Sequence, residues 1–392
     1  MPVWAINLQA AFPSWERVLV KDIDEELDYF MNHKVLIMKE LNPFMLDQYE
    51  QITLKSFEIV LWDIKSIYKD YNKIDSNFLA NRQLTDLWKS NDDNYSNFLQ
   101  KFLDLAKNID IIYFNIFCPF PPEWVYLNLK KSVNIYFCND DPHKSYERSA
   151  GAVWAFDLVT HWSPTYDKNF KMQEILSVWG AKRTMLMPLS FFPMDDDHIA
   201  SILSSLNNDV RTNDALYIGG YYRLKYRALV YLKRTLNDKL IIAGNWPLFG
   251  LIGFLGFLKG RPNLNYKVSK LSISEKANLH LKSKIVVNMH LSENMEHGNF
   301  RTFESIFYGN LLITDRGILR EGDYFFKPDA EAVYYNNVEE IPSLVEYYSL
   351  NSEKRFSIVK AAMLRFKKDY NLETLLGNLF NEAIKILKQK HE

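Results

Sequence analysis

The chain has 392 residues, which suits two domains of ordinary size, and 47% of them are hydrophobic, as packed globular domains require. Its net charge of −1 gives no general electrostatic reason to bind DNA or RNA. No apolar run is long enough to span a bilayer, and no charged-then-apolar secretory segment opens the sequence. Cys118 and Cys138 have no metal-ligand company and indicate buried thiols in a reducing compartment, so we expect a cytoplasmic protein.

Apolar segments of strand length alternate with amphipathic helical segments along most of the chain. In the first half we predict strands at residues 3–8, 34–38, 58–62, 109–117, 133–139, 157–160 and 183–188. In the second half we predict strands at residues 215–219, 239–244, 266–268, 284–289, 310–314 and 332–335, followed by helices over 338–391. This alternation indicates parallel sheets covered on both faces. We therefore predict an α/β protein with two Rossmann-like, doubly wound sheets and a ligand cleft at the carboxyl ends of their strands.

Two features divide the chain into halves. Pro193, an acidic turn and a Ser/Asn stretch break the alternation between residues 192 and 213, which predicts a first domain at 1–205 and a second at 206–370. Glycine is also unevenly placed, because none precedes Gly151 and twelve of the 14 fall from Gly219 onward. Close approach of a backbone to phosphate usually needs glycine, so we expect the nucleotide site in the second half.

The segment 296–315 carries the strongest local pattern. Its phenylalanine and isoleucine side chains recur at helical spacing between Phe300 and Phe307. Asn299 is a plausible N-cap and Gly309 a plausible C′ residue, so the helix should be about two turns long. Unpaired N–H groups and the helix dipole favour a phosphate at its start.

The side chains around that helix suit a ligand with both phosphate and hydroxyl groups, such as a nucleotide-diphosphate sugar. Carboxylates accept from hydroxyls, so Glu304 could take a ribose diol, while Glu296, eight positions earlier, could reach the hexose. Arg301 could hold a phosphate by two parallel bonds. The candidate donor-binding residues here are His297, Gly298, Asn299, Phe300, Arg301, Thr302 and Glu304. The alternative is an ordinary helix with solvated acids and an arginine paired to one of them.

With its neighbours, this segment resembles the E-x7-E region of retaining GT-B glycosyltransferases, and more narrowly the group related to the spore-maturation protein CgeB. The likeness covers roughly residues 110–370 and is specific from about 215 onward. It is carried by residues 139–142, 215–227, 284–290, 301–304, 309, 312–315, 323–328, 332–335 and 339–341. The first half departs from the wider superfamily, because it lacks the glycine-rich first loop that many GT-B enzymes carry.

The resemblance implies a glycosyltransferase that retains anomeric configuration, needs no catalytic metal and holds no permanent cofactor. It implies Glu296 as a catalytic residue and a terminal helix, 371–392, that crosses back to the first domain. The expected donor is a UDP-sugar, with a GDP-sugar as the second choice. The acceptor would be a hydroxyl of a glycan, glycolipid, protein or modified DNA. The alternatives are a nucleotide-sugar epimerase or hydrolase, or a non-catalytic binding or coat protein with this fold.

A basic cluster follows the glycine pair Gly219–Gly220, and comprises Arg223, Lys225 and Arg227. A glycine turn exposes backbone N–H groups, and a nearby cation can neutralise a leaving diphosphate. Arg227 stands where the resembled group most often has arginine. The alternative is a basic helix face without a ligand.

Acidic and histidine residues elsewhere offer weaker candidates. Asp140 and Asp141 end a predicted strand and could orient the acceptor or stabilise charge on the sugar ring, or they could form an Asx turn before a proline. His143 and His161 are interpreted as structural. The acidic triplet at 195–197 is interpreted as a helix cap rather than a metal site, and we expect no metal.

The apolar run at residues 246–258 is too short to span a membrane. We interpret it as buried core, with peripheral contact at the inner face of a membrane as the alternative.

Overall fold

The computed structural model describes residues 33–39, 54, 56–63, 81–114, 120–138, 146, 149–167, 169–207, 211–220, 223–245, 266–267, 271–290, 298–316 and 324–392. The strand expected at 3–8, the apolar run 246–258 and Cys118 lie outside these residues. None of the helices described there is long and apolar enough to cross a membrane.

Among the described residues, the first sheet has six parallel strands. They are β1 (His33–Lys39), β2 (Phe57–Asp63), β3 (Ile111–Phe114), β4 (Val133–Cys138), β5 (Leu158–His161) and β6 (Thr184–Leu186). Their order across the sheet is β2-β1-β3-β4-β5-β6, with every neighbouring pair parallel. Both faces of β3 and β4 are buried, which explains why these strands are continuous apolar runs in the sequence.

The second sheet also has six parallel strands. They are β7 (Asn213–Ile218), β8 (Leu240–Ala243), β9 (Tyr266–Lys267), β10 (Ser283–Asn288), β11 (Leu311–Asp315) and β12 (Val333–Tyr335). Their order is β12-β11-β10-β7-β8-β9. The winding direction reverses between β7 and β10, and such a reversal leaves a crevice at the carboxyl ends of the two strands. The two-sheet α/β fold predicted from the sequence is confirmed.

Eleven α-helices are described. They are α1 (Asn81–Lys89), α2 (Asp93–Ala106), α3 (Pro122–Asn128), α4 (Met172–Val178), α5 (Asp196–Asn207), α6 (Arg223–Leu236), α7 (Ile273–Leu281), α8 (Phe300–Phe307), α9 (Ile341–Leu350), α10 (Ser352–Asp369) and α11 (Leu372–His391). Each sheet has its own core: α2 and α3 pack on the first, and α8, α9 and α10 pack on the second.

The last helix, α11, packs on the first sheet although it follows the second in the chain. Its buried side chains Leu376, Leu379 and Phe380 join the core that includes strands β1, β3 and β4. At its far end the Lys390 ammonium donates to the Ser132 carbonyl and to the Asp157 carboxylate, both at 2.7 Å. Helix α11 therefore covers one face of the first sheet.

Aromatic rings join the two halves next to α8. The ring of Phe300, the first residue of α8, lies 5.1 Å from that of Phe192 and 6.2 Å from that of Phe191. Phe191 belongs to the core under the first sheet and Phe192 to the core of the second. The N-terminus of α8 thus lies where the two cores meet.

Candidate functional site

Gly219, directly after β7, lies at the start of the crevice between the carboxyl ends of β7 and β10, the switch point of the second sheet. A Cβ atom there would lie 2.6 Å from the Tyr217 hydroxyl and 2.8 Å from Nη1 of Arg301. Tyr217 is fully buried, so it has no room to yield. Only glycine fits this position, and its lack of a side chain leaves the backbone open to close approach.

Helix α8 starts in the same crevice and has the bounds that its sequence predicts. The Asn299 side chain accepts a hydrogen bond from the Thr302 N–H at 3.3 Å, which is the expected N-cap. The residue before it, Gly298, has a φ of +74°. At the other end Gly309 has a φ of +68°, as a left-handed C′ glycine should. The local signals therefore set both ends of the helix.

Asn288 ends β10 and connects the elements of the crevice. It is fully buried, and its amide exchanges two 3.2 Å hydrogen bonds with the amide of Asn299. Its Oδ1 also accepts from Nε of Arg301 at 3.2 Å, while Nη1 of Arg301 donates to the Ile218 carbonyl at 3.1 Å. The Arg301 guanidinium consequently bridges the carboxyl ends of β7 and β10, where the crevice opens.

A cavity of about 290 Å³ occupies this position. The described residues that line it are Ile218, Gly219, Lys276, Asn299, Phe300 and Arg301. Two of them are cations and none is an acid. Together with the N-terminus of α8, the lining favours an anionic ligand.

Glu304 lies behind that cavity and is 1% exposed. Its Oε1 is 2.6 Å from the Lys276 ammonium, and its Oε2 is 3.5 Å from Nε2 of His280. Burial raises the pKa of Glu304, but Lys276 and His280 outweigh burial and hold that pKa below its usual value. The carboxylate is therefore ionised at neutral pH despite being buried.

His280 is fixed on its other side by Asn310. The amide nitrogen of Asn310 donates to the carbonyls of His280 and Ser283, so its oxygen is left to accept from Nδ1 of His280 at 2.8 Å. Among the described residues, Oε2 of Glu304 accepts no hydrogen bond.

A histidine–aspartate pair lies at the carboxyl ends of β10 and β11. Nδ1 of His290, just after β10, is 2.8 Å from Oδ1 of Asp315, the last residue of β11. The backbone N–H of His290 donates to the same oxygen at 3.0 Å. The pair fixes the ring of His290 where the chain leaves β10 toward the predicted Glu296 segment.

The basic cluster after Gly220 does not form one surface. Lys225 is buried and Arg227 is exposed, since residues two apart on helix α6 face different sides. The side chain of Arg223 lies outside the described residues, as do Asp140, Asp141, His143, Glu296 and His297. The roles of these residues remain predictions.

Two of the weaker candidates have structural contacts. Nδ1 of His161 is 2.7 Å from the Ser163 carbonyl, and burial lowers the pKa of His161 to about 4. Asp195 accepts a hydrogen bond from the His198 N–H at 2.7 Å, at the start of α5. Both contacts agree with the structural interpretations made from the sequence.

Comparison with known proteins finds one family model that matches part of the chain. Residues 226–381 match the model of a family described as glycosyl transferase-like. This segment is a glycosyl transferase-like domain. The matched segment contains most of α6, all of α7 to α10 and most of the crevice described above. No curated protein matches the sequence.

Solved structures match the fold over nearly the whole chain. One is the Anabaena protein HepE in complex with UDP and glucose, with a TM-score of 0.57 and 11% identity over 90% of this chain and all of that one. Another is sucrose-phosphate synthase from Thermosynechococcus elongatus, with a TM-score of 0.58 and 13% identity over 91% of this chain and all of that one. A trehalose-phosphate synthase from Burkholderia xenovorans matches with a TM-score of 0.53 and 12% identity over 90% of this chain and 99% of that one. These likenesses show that the chain has the GT-B fold.

Sequence reasoning missed three residues of the crevice: Lys276, Asn288 and His290. Asn288 and His290 had a signal, because polar residues that end a buried strand of a parallel sheet usually face a ligand cleft. Lys276 had none, since it lies on a different helix from its partner Glu304 and only the packing of α7 beside α8 brings them together.

Proposed function

We propose that this protein is a glycosyltransferase that moves a sugar from a nucleotide-diphosphate sugar to an acceptor hydroxyl, with retention of configuration and without a metal. The observation that carries the proposal is the cationic cavity at the switch point of the second sheet, beside the N-terminus of α8. Growing negative charge on a leaving diphosphate would be stabilised by Arg301 and by the N–H groups at the start of α8. A UDP-sugar is the favoured donor, because HepE was solved with UDP-glucose and with UDP. A GDP-sugar is the second choice.

Each predicted residue takes a definite role in this proposal. Gly219 and Gly220 admit the diphosphate, and Arg223, Lys225 or Arg227 contributes a further cation. Glu304, whose buried carboxylate lies behind the cavity, is proposed as the acceptor for a ribose hydroxyl. Glu296 contacts the transferred sugar, and Asp140 or Asp141 orients the acceptor.

The acceptor side is proposed more broadly. A glycan or glycolipid hydroxyl is favoured, and membership of the CgeB-related group and peripheral membrane contact through residues 246–258 stay predictions. We propose domain limits at residues 1–205, 206–370 and 371–392, with the donor held by the middle one.

The first test is thermal stabilisation by UDP, GDP, ADP, CDP and dTDP, measured on the parent and on Glu304→Ala. A nucleotide at 100 times its dissociation constant adds about 2.7 kcal/mol to the unfolding free energy, which a melting curve resolves easily. Stabilisation of the parent by one nucleotide, with a smaller effect on the variant, supports the donor site. A parent that responds to none of the five contradicts it.

The stereochemical part has its own test. With the donor identified, the anomeric configuration of the first product formed is read by NMR. An inverted product contradicts retention, and release of free nucleotide with an isomerised sugar and no acceptor would indicate the epimerase alternative.

A further inference from the structure

The position of Lys276 is not explained by the pairing with Glu304 alone. The residue lies on α7, which starts with a Ser272 capping box, so its backbone is held independently of α8. Its ammonium donates to Oε1 of Glu304 at 2.6 Å and lies 5.0 Å from the centre of the Phe300 ring. An ammonium has three N–H donors. No described residue other than Glu304 accepts from it, so two donors remain for the cavity that Lys276 lines.

The charges around this ammonium also favour an anion. The side chain of Lys276 is 28% exposed whereas that of Glu304 is 1% exposed. The carboxylate therefore lies deeper in the protein, and the ammonium lies between it and the cavity. Arg301 lines the same cavity, and its Nε and Nη1 are already used by Asn288 and by Ile218. A second cation with donors left for a ligand is thus available within one small cavity, next to the N-terminus of α8.

We propose that Lys276 binds the diphosphate of the nucleotide donor, and that Glu304 is the positioning residue that holds its ammonium toward the cavity through Oε1. This inference rests on the proposed function and adds a residue to it. In this arrangement Oε1 of Glu304, 2.6 Å from the ammonium, orients Lys276.

The test separates phosphate contacts from nucleoside contacts by titrating UDP and uridine in a calorimeter. The variants are Lys276→Met, Lys276→Arg and, as a matched control, Lys282→Met, which removes an exposed lysine at the other end of the same helix. Loss of one charge-assisted hydrogen bond costs about 1.5–3 kcal/mol, so UDP affinity should fall roughly tenfold to a hundredfold in Lys276→Met. Uridine affinity should stay unchanged, Lys276→Arg should recover most of the UDP affinity, and Lys282→Met should match the parent.

The outcomes separate the two proposals. If the parent binds UDP but Lys276→Met keeps the parental ratio of UDP to uridine affinity, Lys276 only neutralises Glu304 and the inference is wrong, while the proposed function stands. If the melting test selects another nucleotide, its diphosphate and its nucleoside replace UDP and uridine; if the parent responds to none of the five, both proposals are wrong. Should Lys276→Met fail to fold because Glu304 is left as a buried unpaired charge, the double variant Lys276→Met/Glu304→Gln is compared with Glu304→Gln alone. The same fall in the affinity ratio is expected there.

Discussion

Gly219→Ala is the sharpest test of the crevice geometry. The added methyl would lie 2.6 Å from the hydroxyl of Tyr217 and 2.8 Å from Nη1 of Arg301, whereas optimal contacts between carbon atoms are about 3.5–4.0 Å. Tyr217 is buried on all sides, so Arg301 must move and lose its hydrogen bond to the Ile218 carbonyl. Overpacking and the lost bond together should lower the unfolding free energy by about 2–3 kcal/mol.

Its neighbour provides the control. A Cβ atom at Gly220 would find the Asn245 carbonyl oxygen at 3.6 Å, an ordinary contact, so Gly220→Ala should change stability by less than about 0.5 kcal/mol. Urea unfolding measures both variants, and UDP titration of Gly219→Ala should show a roughly tenfold or greater loss through the displaced guanidinium. Equal stability of the two variants, or parental UDP affinity in Gly219→Ala, would refute the reasoning.

Three further predictions concern stability. The pKa of Glu304 in the folded protein lies below the usual 4.5, so its ionised form stabilises the fold above that pH, and this stabilisation is lost as the pH falls through the folded pKa. Glu304→Gln should therefore reduce the fall in unfolding free energy below pH 4.5. The same fall in the variant as in the parent would contradict the pairing with Lys276. Leu379→Ala removes a fully buried side chain from the contact of α11 with the first sheet and should cost about 2–5 kcal/mol in urea unfolding, where a loss under about 1 kcal/mol would argue against that contact. Gly298→Ala would combine a φ of +74° with a Cβ atom 2.2 Å from the Phe325 ring. The melting temperature of this variant should therefore fall by several degrees, and UDP should bind less tightly. A melting curve equal to that of the parent would show that the turn is not as described.

The sequence predicts what is local and misses what depends on packing. The ends of α8 follow from Asn299 and Gly309, whose effects act within one helical turn, and the strands follow from apolar runs that parallel sheets bury on both faces. The Lys276–Glu304 pair joins residues 28 positions apart on two helices, and the register of α7 against α8 is set by the core beneath them. The separation of Lys225 from Arg227 could have been foreseen, since helical positions two apart point in different directions.

The packing of α11 on the first sheet determines the order in which the two sheets can bury their cores during synthesis. The described strands of the first sheet leave the ribosome before those of the second, yet one of their faces is covered by α11, which follows both sheets in the chain. The second sheet, whose covering helices α8, α9 and α10 precede α11, can bury its core while that face of the first sheet is still open to solvent. The first sheet is therefore made before the second but covered after it, and a chain terminated before residue 372 would carry a closed second sheet beside an apolar surface on the first.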